Sequence, residues 1–243
     1  MRTLLISLGF AVSMLSLTAL AGTDAVRGSA RATTNADIVE RFLRSAEPRL
    51  VSYRARRTLQ ASALGGRVTG SIVADTHLDP DGSFHFAIVH EEGSGIIRER
   101  VLKAALLAEQ STYANRESDG AALTRANYDF RRRTGTGADT LQLELLPKRQ
   151  SKMLLDGHVV LTAPDADLLR VEGSPTELPS SWTREVTIVR DYTRINGVRV
   201  ATRMQSRADV RLVGESSFSM SYAYTAINGK EVTPPVSGRW SSH

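Results

Sequence analysis

The fold of this chain is decided within residues 141–192, LQLELLPKRQSKMLLDGHVVLTAPDADLLRVEGSPTELPSSWTREVTIVRDY. Short apolar runs alternate with turn signals about every 8–12 residues, as consecutive antiparallel strands do. Leu141, Leu143 and Leu145 share one face, with Gln142 and Glu144 on the other. Pro147 ends that strand, since it has no N–H to donate to a neighbour. Asp156-Gly157 predicts a tight turn between strands at 153–155 and 158–162. Residues 164–167, Pro-Asp-Ala-Asp, predict the next turn, before a strand at 168–172. A loop over 173–181 leads to Trp182 and a further strand over 186–192. A meander with one apolar face needs a cover for that face.

Upstream, residues 34–47 predict a helix. Thr34 and Asp37 form a capping-box-like start. Ile38, Val39, Phe42, Leu43 and Ala46 follow at helical spacing, and Pro48 stops the run. Period two then sets in over 50–61. Tyr53, Ala55, Arg57 and Leu59 share one face of that strand. Val68, Gly70, Ile72, Ala74 and Leu78 mark the inner face of a second. After a strong turn at 79–82, Phe84, Phe86 and Ile88 mark a third. A second helix is expected over 96–111. Ile97, Val101, Leu102, Ala105 and Leu106 form its apolar stripe, with Arg98, Glu99, Lys103 and Glu109 placed mostly off it. Gly93-Ser94-Gly95 precedes it as a loop able to let it move.

Downstream, Asn196-Gly197 predicts a hairpin between strands on either side. Phe218, Met220, Tyr222 and Tyr224 alternate with Ser217, Ser219, Ser221 and Ala223. Asn228-Gly229 ends that strand. These elements predict one α+β domain over 34–229, built on a strongly curved antiparallel sheet with helices against one face. No repeat and no domain linker interrupts it.

The N-terminus reads as a secretory signal over 1–21. Arg2 precedes an apolar run, and Ala19-Leu20-Ala21 is a cleavage site. Residues 22–33 read as a flexible lead-in and 230–243 as a loose tail. The expectation is a soluble, exported, periplasmic and monomeric chain.

The 243 residues include no cysteine, which excludes disulfides and thiolate chemistry. The net charge of +5 is carried mainly by arginines scattered over strands, the pattern of a solvated sheet face rather than of a nucleic-acid surface. No nucleophile elbow, H-E-x-x-H or phosphate-binding glycine loop is present. His77, His85, His90 and His158 read as surface or strand histidines, and Asp156, Asp165 and Asp167 as turn residues. No metal, cofactor or enzymatic activity is expected.

Local wording adds a resemblance. It rests on Gly95-Ile96-Ile97-Arg98-Glu99-Arg100-Val101-Leu102, Asn127-Tyr128-Asp129-Phe130, Leu146-Pro147-Lys148-Arg149, Leu154-Leu155-Asp156-Gly157, Leu169-Arg170-Val171-Glu172-Gly173 and Pro179-Ser180-Ser181-Trp182. With the order of elements, these make the chain resemble the LolA/LolB-like superfamily of exported lipid or lipoprotein carriers. The resemblance implies an incomplete antiparallel barrel of about eleven strands with helices covering its concave face. It implies a non-enzymatic carrier of a lipid or of acylated protein, in transient contact with the membrane surface. An envelope sensing or protein-interaction module on the same fold is the alternative.

Three apolar sets are the candidate ligand-binding surface: Phe84, Phe86 and Ile88; Ile97, Val101 and Leu106; and Phe218, Met220, Tyr222 and Tyr224. Strict period two gives each strand set one face, and helical spacing lets the middle set lie over them.

Overall fold

A computed structural model describes residues 35–44, 48–115, 121–133, 139–163, 165–212 and 214–233. The expected signal, its lead-in and the last ten residues lie outside them. Among the described residues, eleven strands pair into one antiparallel sheet. β1 (Tyr53–Ala63), β2 (Val68–Leu78) and β3 (Phe84–Gly93) form the first meander. The second comprises β4 (Tyr128–Arg133), β5 (Thr140–Pro147), β6 (Leu155–Thr162), β7 (Leu168–Pro175), β8 (Thr183–Ile195), β9 (Val198–Val210), β10 (Gly214–Ile227) and β11 (Lys230–Glu231). The order across the sheet is β3-β2-β1-β10-β9-β8-β7-β6-β5-β4, with β11 beside β10.

That order corrects the strongly curved, incomplete barrel. β3 and β4 stand at opposite ends of the path, and the sheet is neither closed nor strongly curled. Period-two alternation tells which face of a strand is inward and is silent on closure. Closure depends on strand tilt and stagger, which no single strand encodes. The two meanders instead join side by side, through the long antiparallel pairing of β1 with β10.

Alternation does set the inner face. In β1, Tyr53, Ala55, Arg57, Leu59 and Ala61 are buried while Arg54, Arg56 and Gln60 are exposed. Leu141, Leu143 and Leu145 are buried together in β5. Asn196-Gly197 turns the chain with φ of 53° and 80°, and Asn228-Gly229 does so with 49° and 76°. Both are left-handed pairs suited to a two-residue hairpin.

Asp156-Gly157 is a correction. It is not a turn but lies inside β6, and Gly157 pairs with Gly173 of β7. A Cβ on Gly157 would lie 2.0 Å from the Glu172 carbonyl oxygen and 2.5 Å from the Gly173 Cα. The glycine is there for a close approach of two backbones, the other role a strand glycine has. The turn into β6 falls earlier, where the Leu154 N–H donates to the Ser151 carbonyl.

Helix α1 spans Asn35–Arg44, and the C-terminal end of the expected helix lies outside the described residues. Ile38, Val39 and Phe42 are buried, and Phe42 meets Phe130 of β4 edge-on at 6.1 Å. The second helical segment has three parts: α2 (Gly95–Ile97), a π-helical stretch (Arg98–Lys103) and α3 (Ala104–Asn115). It follows one edge strand, β3, and leads toward the other, β4. The connection between the meanders thereby becomes the cover of the sheet.

Candidate functional site

The π stretch changes which residues of the cover face the sheet. An α-helix returns to one face after three or four residues, whereas the wider π turn needs one more. Ile97 and Leu102, five apart, are both buried, while Val101 between them is only partly so. The ordinary period resumes in α3 with Ala105, Leu106 and Glu109. Seating is close because β2 offers a glycine: a Cβ on Gly70 would lie 2.9 Å from Ile97 Cγ2 and 3.1 Å from Ile97 Cβ.

Glu109 is a further correction. Placed off the stripe as a charged residue, it is fully buried, as is Arg57 beneath it. The two form a bidentate ion pair, Arg57 Nη1 donating to Glu109 Oε2 at 2.5 Å and Nη2 to Oε1 at 2.9 Å. Arg57 Nη2 also donates to the Tyr53 hydroxyl. The guanidinium lies 5.6, 5.2 and 4.6 Å from the rings of Tyr53, Phe84 and Tyr222. Burial works against this charge, but Glu109, Tyr53 and Tyr222 outweigh it and hold the guanidinium well above its ordinary value. The pair ties α3 to β1 at the centre of the apolar face.

Aromatic rings surround it. Tyr113 of α3 stacks on Phe84 at 5.6 Å, Tyr222 stacks on Tyr224 at 5.9 Å, and Tyr53 meets Tyr224 edge-on at 5.7 Å. The Tyr224 hydroxyl donates to the Ala201 carbonyl at 2.8 Å. Burial pushes the Tyr222 hydroxyl up to about 12 against the opposing pull of Arg57. Desolvation likewise raises Tyr53, Tyr113 and Tyr224.

The three predicted apolar sets therefore meet. Phe84, Ile97, Leu106, Phe218, Met220 and Tyr224 belong to the buried core, and Phe86, Ile88, Val101 and Tyr222 are partly buried against it. Phe86 and Ile88 share the inner face of the edge strand β3 with Phe84, Val101 sits in the π stretch, and the residues that join the two elements are Arg98 and Lys103, both paired with Glu91. The Gln110 side chain donates to the Phe84 carbonyl at 3.0 Å, tying α3 to that same strand. A shallow cleft of about 470 Å³ lies elsewhere, lined by outward residues of β1, β2, β3 and β10 that include Gln60, Ser71, Glu92 and Ser219. Its lining contains none of the predicted apolar residues.

Period two had put Arg57 inward beside Tyr53, but its partner was missed. The signal was present: Glu109 follows Leu106 by three positions and Leu102 by seven, which is the apolar phase of the helix. A second grouping was out of reach of spacing alone. His77 and His85 lie opposite each other across the β2–β3 hairpin, with Asp79 in the turn between them.

No protein-family model matches the chain, and no curated protein does. Among solved structures, the crystal structure of a LolA-superfamily protein from Nitrosomonas europaea is similar over 84% of this chain and 96% of its own. The identity is 10% and the TM-score 0.42. That degree of likeness assigns no function.

Proposed function

We propose that this chain is an exported, non-enzymatic binder of a hydrophobic ligand in the cell envelope, a lipid or the acyl chains of a lipoprotein. The ligand is held between the sheet and the helical segment 95–115. One observation carries the reading: the seam between the edge strand β3 and the π stretch that meets it carries apolar side chains, Phe86 and Ile88 on the one and Val101 on the other, that are only partly buried. Beside that seam the helix is fastened by an ion pair rather than by close packing alone. An acyl chain entering there gains roughly 0.8 kcal/mol per CH₂ removed from water. Gly93, at φ 80°, turns the chain from β3 into α2, and Arg98 and Lys103 of the π stretch pair with Glu91 of β3 at 2.6 and 3.3 Å, so an entering chain must part those ion pairs.

The test pairs lipid-probe binding with thermal melting on the same samples, and with mass spectrometry of an organic extract. Val101→Asp is the informative variant, since Val101 is half-buried and its carboxylate keeps contact with water. It is expected to melt near wild type and to bind a fatty-acyl probe more weakly. Leu106→Asp places a charge at a fully buried position and is expected to unfold the protein. A folded wild type that takes up no acyl probe and carries no lipid from its host refutes the reading. It leaves a protein-interaction module as the better one.

A further inference from the structure

We infer that His77, Asp79 and His85 form a surface site for one divalent late-transition-metal ion, of the Zn²⁺ or Cu²⁺ class, at the tip of the β2–β3 hairpin. His77 and His85 are direct cross-strand partners. Both point to the outer face, opposite Phe84 and Phe86. Their Nε2 atoms lie 3.8 and 3.6 Å from the same Asp79 oxygen, Oδ2. One ligand atom from each of the three residues lies within 4.8 Å of the others. Ligands bonded to zinc at about 2.0–2.2 Å in tetrahedral geometry stand roughly 3.3–3.5 Å apart. The two Nε2–Oδ2 separations need to contract by only a few tenths of an ångström, and the imidazole–imidazole separation, within 4.8 Å, by at most about 1.5 Å.

The turn holds the carboxylate in place. The Asp79 N–H donates to the Ser83 carbonyl and the Gly82 N–H to the Asp79 carbonyl, both at 2.9 Å. Asp81 accepts from the Ser83 N–H at 2.8 Å and stands outside the group of His77, Asp79 and His85. All three side chains are about half exposed. They have the room this binding needs. The imidazole rings stack at 4.9 Å with 20° between their planes, and both lone pairs reach one ion only if the rings tilt further. Two imidazoles and one carboxylate select zinc, copper or nickel over magnesium and calcium, which prefer all-oxygen sets. Three protein ligands leave a fourth position for water or an incoming donor. The ion would bridge the strands on either side of the turn.

The experiment is calorimetric titration of the EDTA-treated full chain with ZnCl₂, repeated with CuCl₂. One ion per chain is expected. His77→Ala and His85→Ala should each weaken binding by at least about 100-fold, beyond the loss a supporting residue causes. His90→Ala and His158→Ala should leave it unchanged. Melting curves of each variant without metal confirm that the fold persists. X-ray absorption on the zinc-loaded chain should find two imidazole nitrogens at about 2.0–2.1 Å. The proposal is overturned by absence of saturable binding, by equal affinity in the His77→Ala/His85→Ala double variant, or by a shell with fewer than two imidazoles. In any of these cases the histidines are only a stacked cross-strand pair.

Discussion

Replacing Glu109 with Leu leaves the Arg57 guanidinium in the interior, where both residues have no exposed side-chain surface. It loses two of its hydrogen bonds, those of 2.5 and 2.9 Å, and keeps the Tyr53 hydroxyl and the three ring faces. Removing one partner of a buried pair costs about 3–5 kcal/mol, which in a chain of this size lowers the melting temperature by roughly 6–20 °C. Arg57→Met should cost a similar amount. It strands Glu109 and takes from Tyr53 its guanidinium partner. The double variant Arg57→Met/Glu109→Leu should recover most of the loss, because buried pairs exchanged for apolar groups are commonly neutral or better. What remains is the Tyr53 hydroxyl, worth about 1–3 kcal/mol if left unsatisfied, and adding Tyr53→Phe should remove that deficit. Urea unfolding of wild type, both single variants, the double and the triple gives the cycle. Coupling of about 3 kcal/mol or more is expected. Additivity within about 0.5 kcal/mol would falsify the assignment of the pair as the tie between α3 and β1.

Gly157→Ala drives a methyl group into the β7 backbone, and the protein should be insoluble or should melt far below wild type in a thermal scan. Gly70→Ala should push α2 away from β2 and cost about 1–3 kcal/mol, read by urea unfolding. Tyr128→Phe leaves the buried Leu155 N–H without the hydroxyl that accepts it at 3.0 Å; a loss of about 1–3 kcal/mol in the same assay is expected. Alkaline stability should follow Tyr222, whose hydroxyl ionises near 12 in the fold against an ordinary value of 10. The native state then keeps a proton that the unfolded chain releases. That contribution is fully present below pH 10 and is lost as pH rises through 12. Denaturant midpoints at pH 8 and pH 11.5 should fall less in Tyr222→Phe than in wild type; an equal fall would place the effect on other tyrosines.

Period alone determined much of this protein. Alternation in β1, β2, β5 and β10 put the right residues inside, Arg57 among them, because successive side chains of a strand must point to opposite faces. Asn-Gly pairs located hairpin turns because few other residues accept their backbone angles. The apolar sets on β3, β10 and the second helical segment were legible for the same reasons. Four matters were left to the tertiary structure. Whether the sheet closes depends on the tilt and stagger of all its strands together, and in the fold β3 and β4 end up at opposite edges, unpaired with each other. Asp156-Gly157 turns or pairs according to the neighbour it meets, and Gly173 across the ladder made it pair. The π stretch buries Leu102 fully and leaves Val101 only partly so, where the helical period had put both on the stripe without ranking them. Glu109 was readable by position and misread by chemistry. A carboxylate belongs inside only when a cation waits there, and Arg57, 52 residues earlier in the chain, reaches it only once the second helical segment lies across β1.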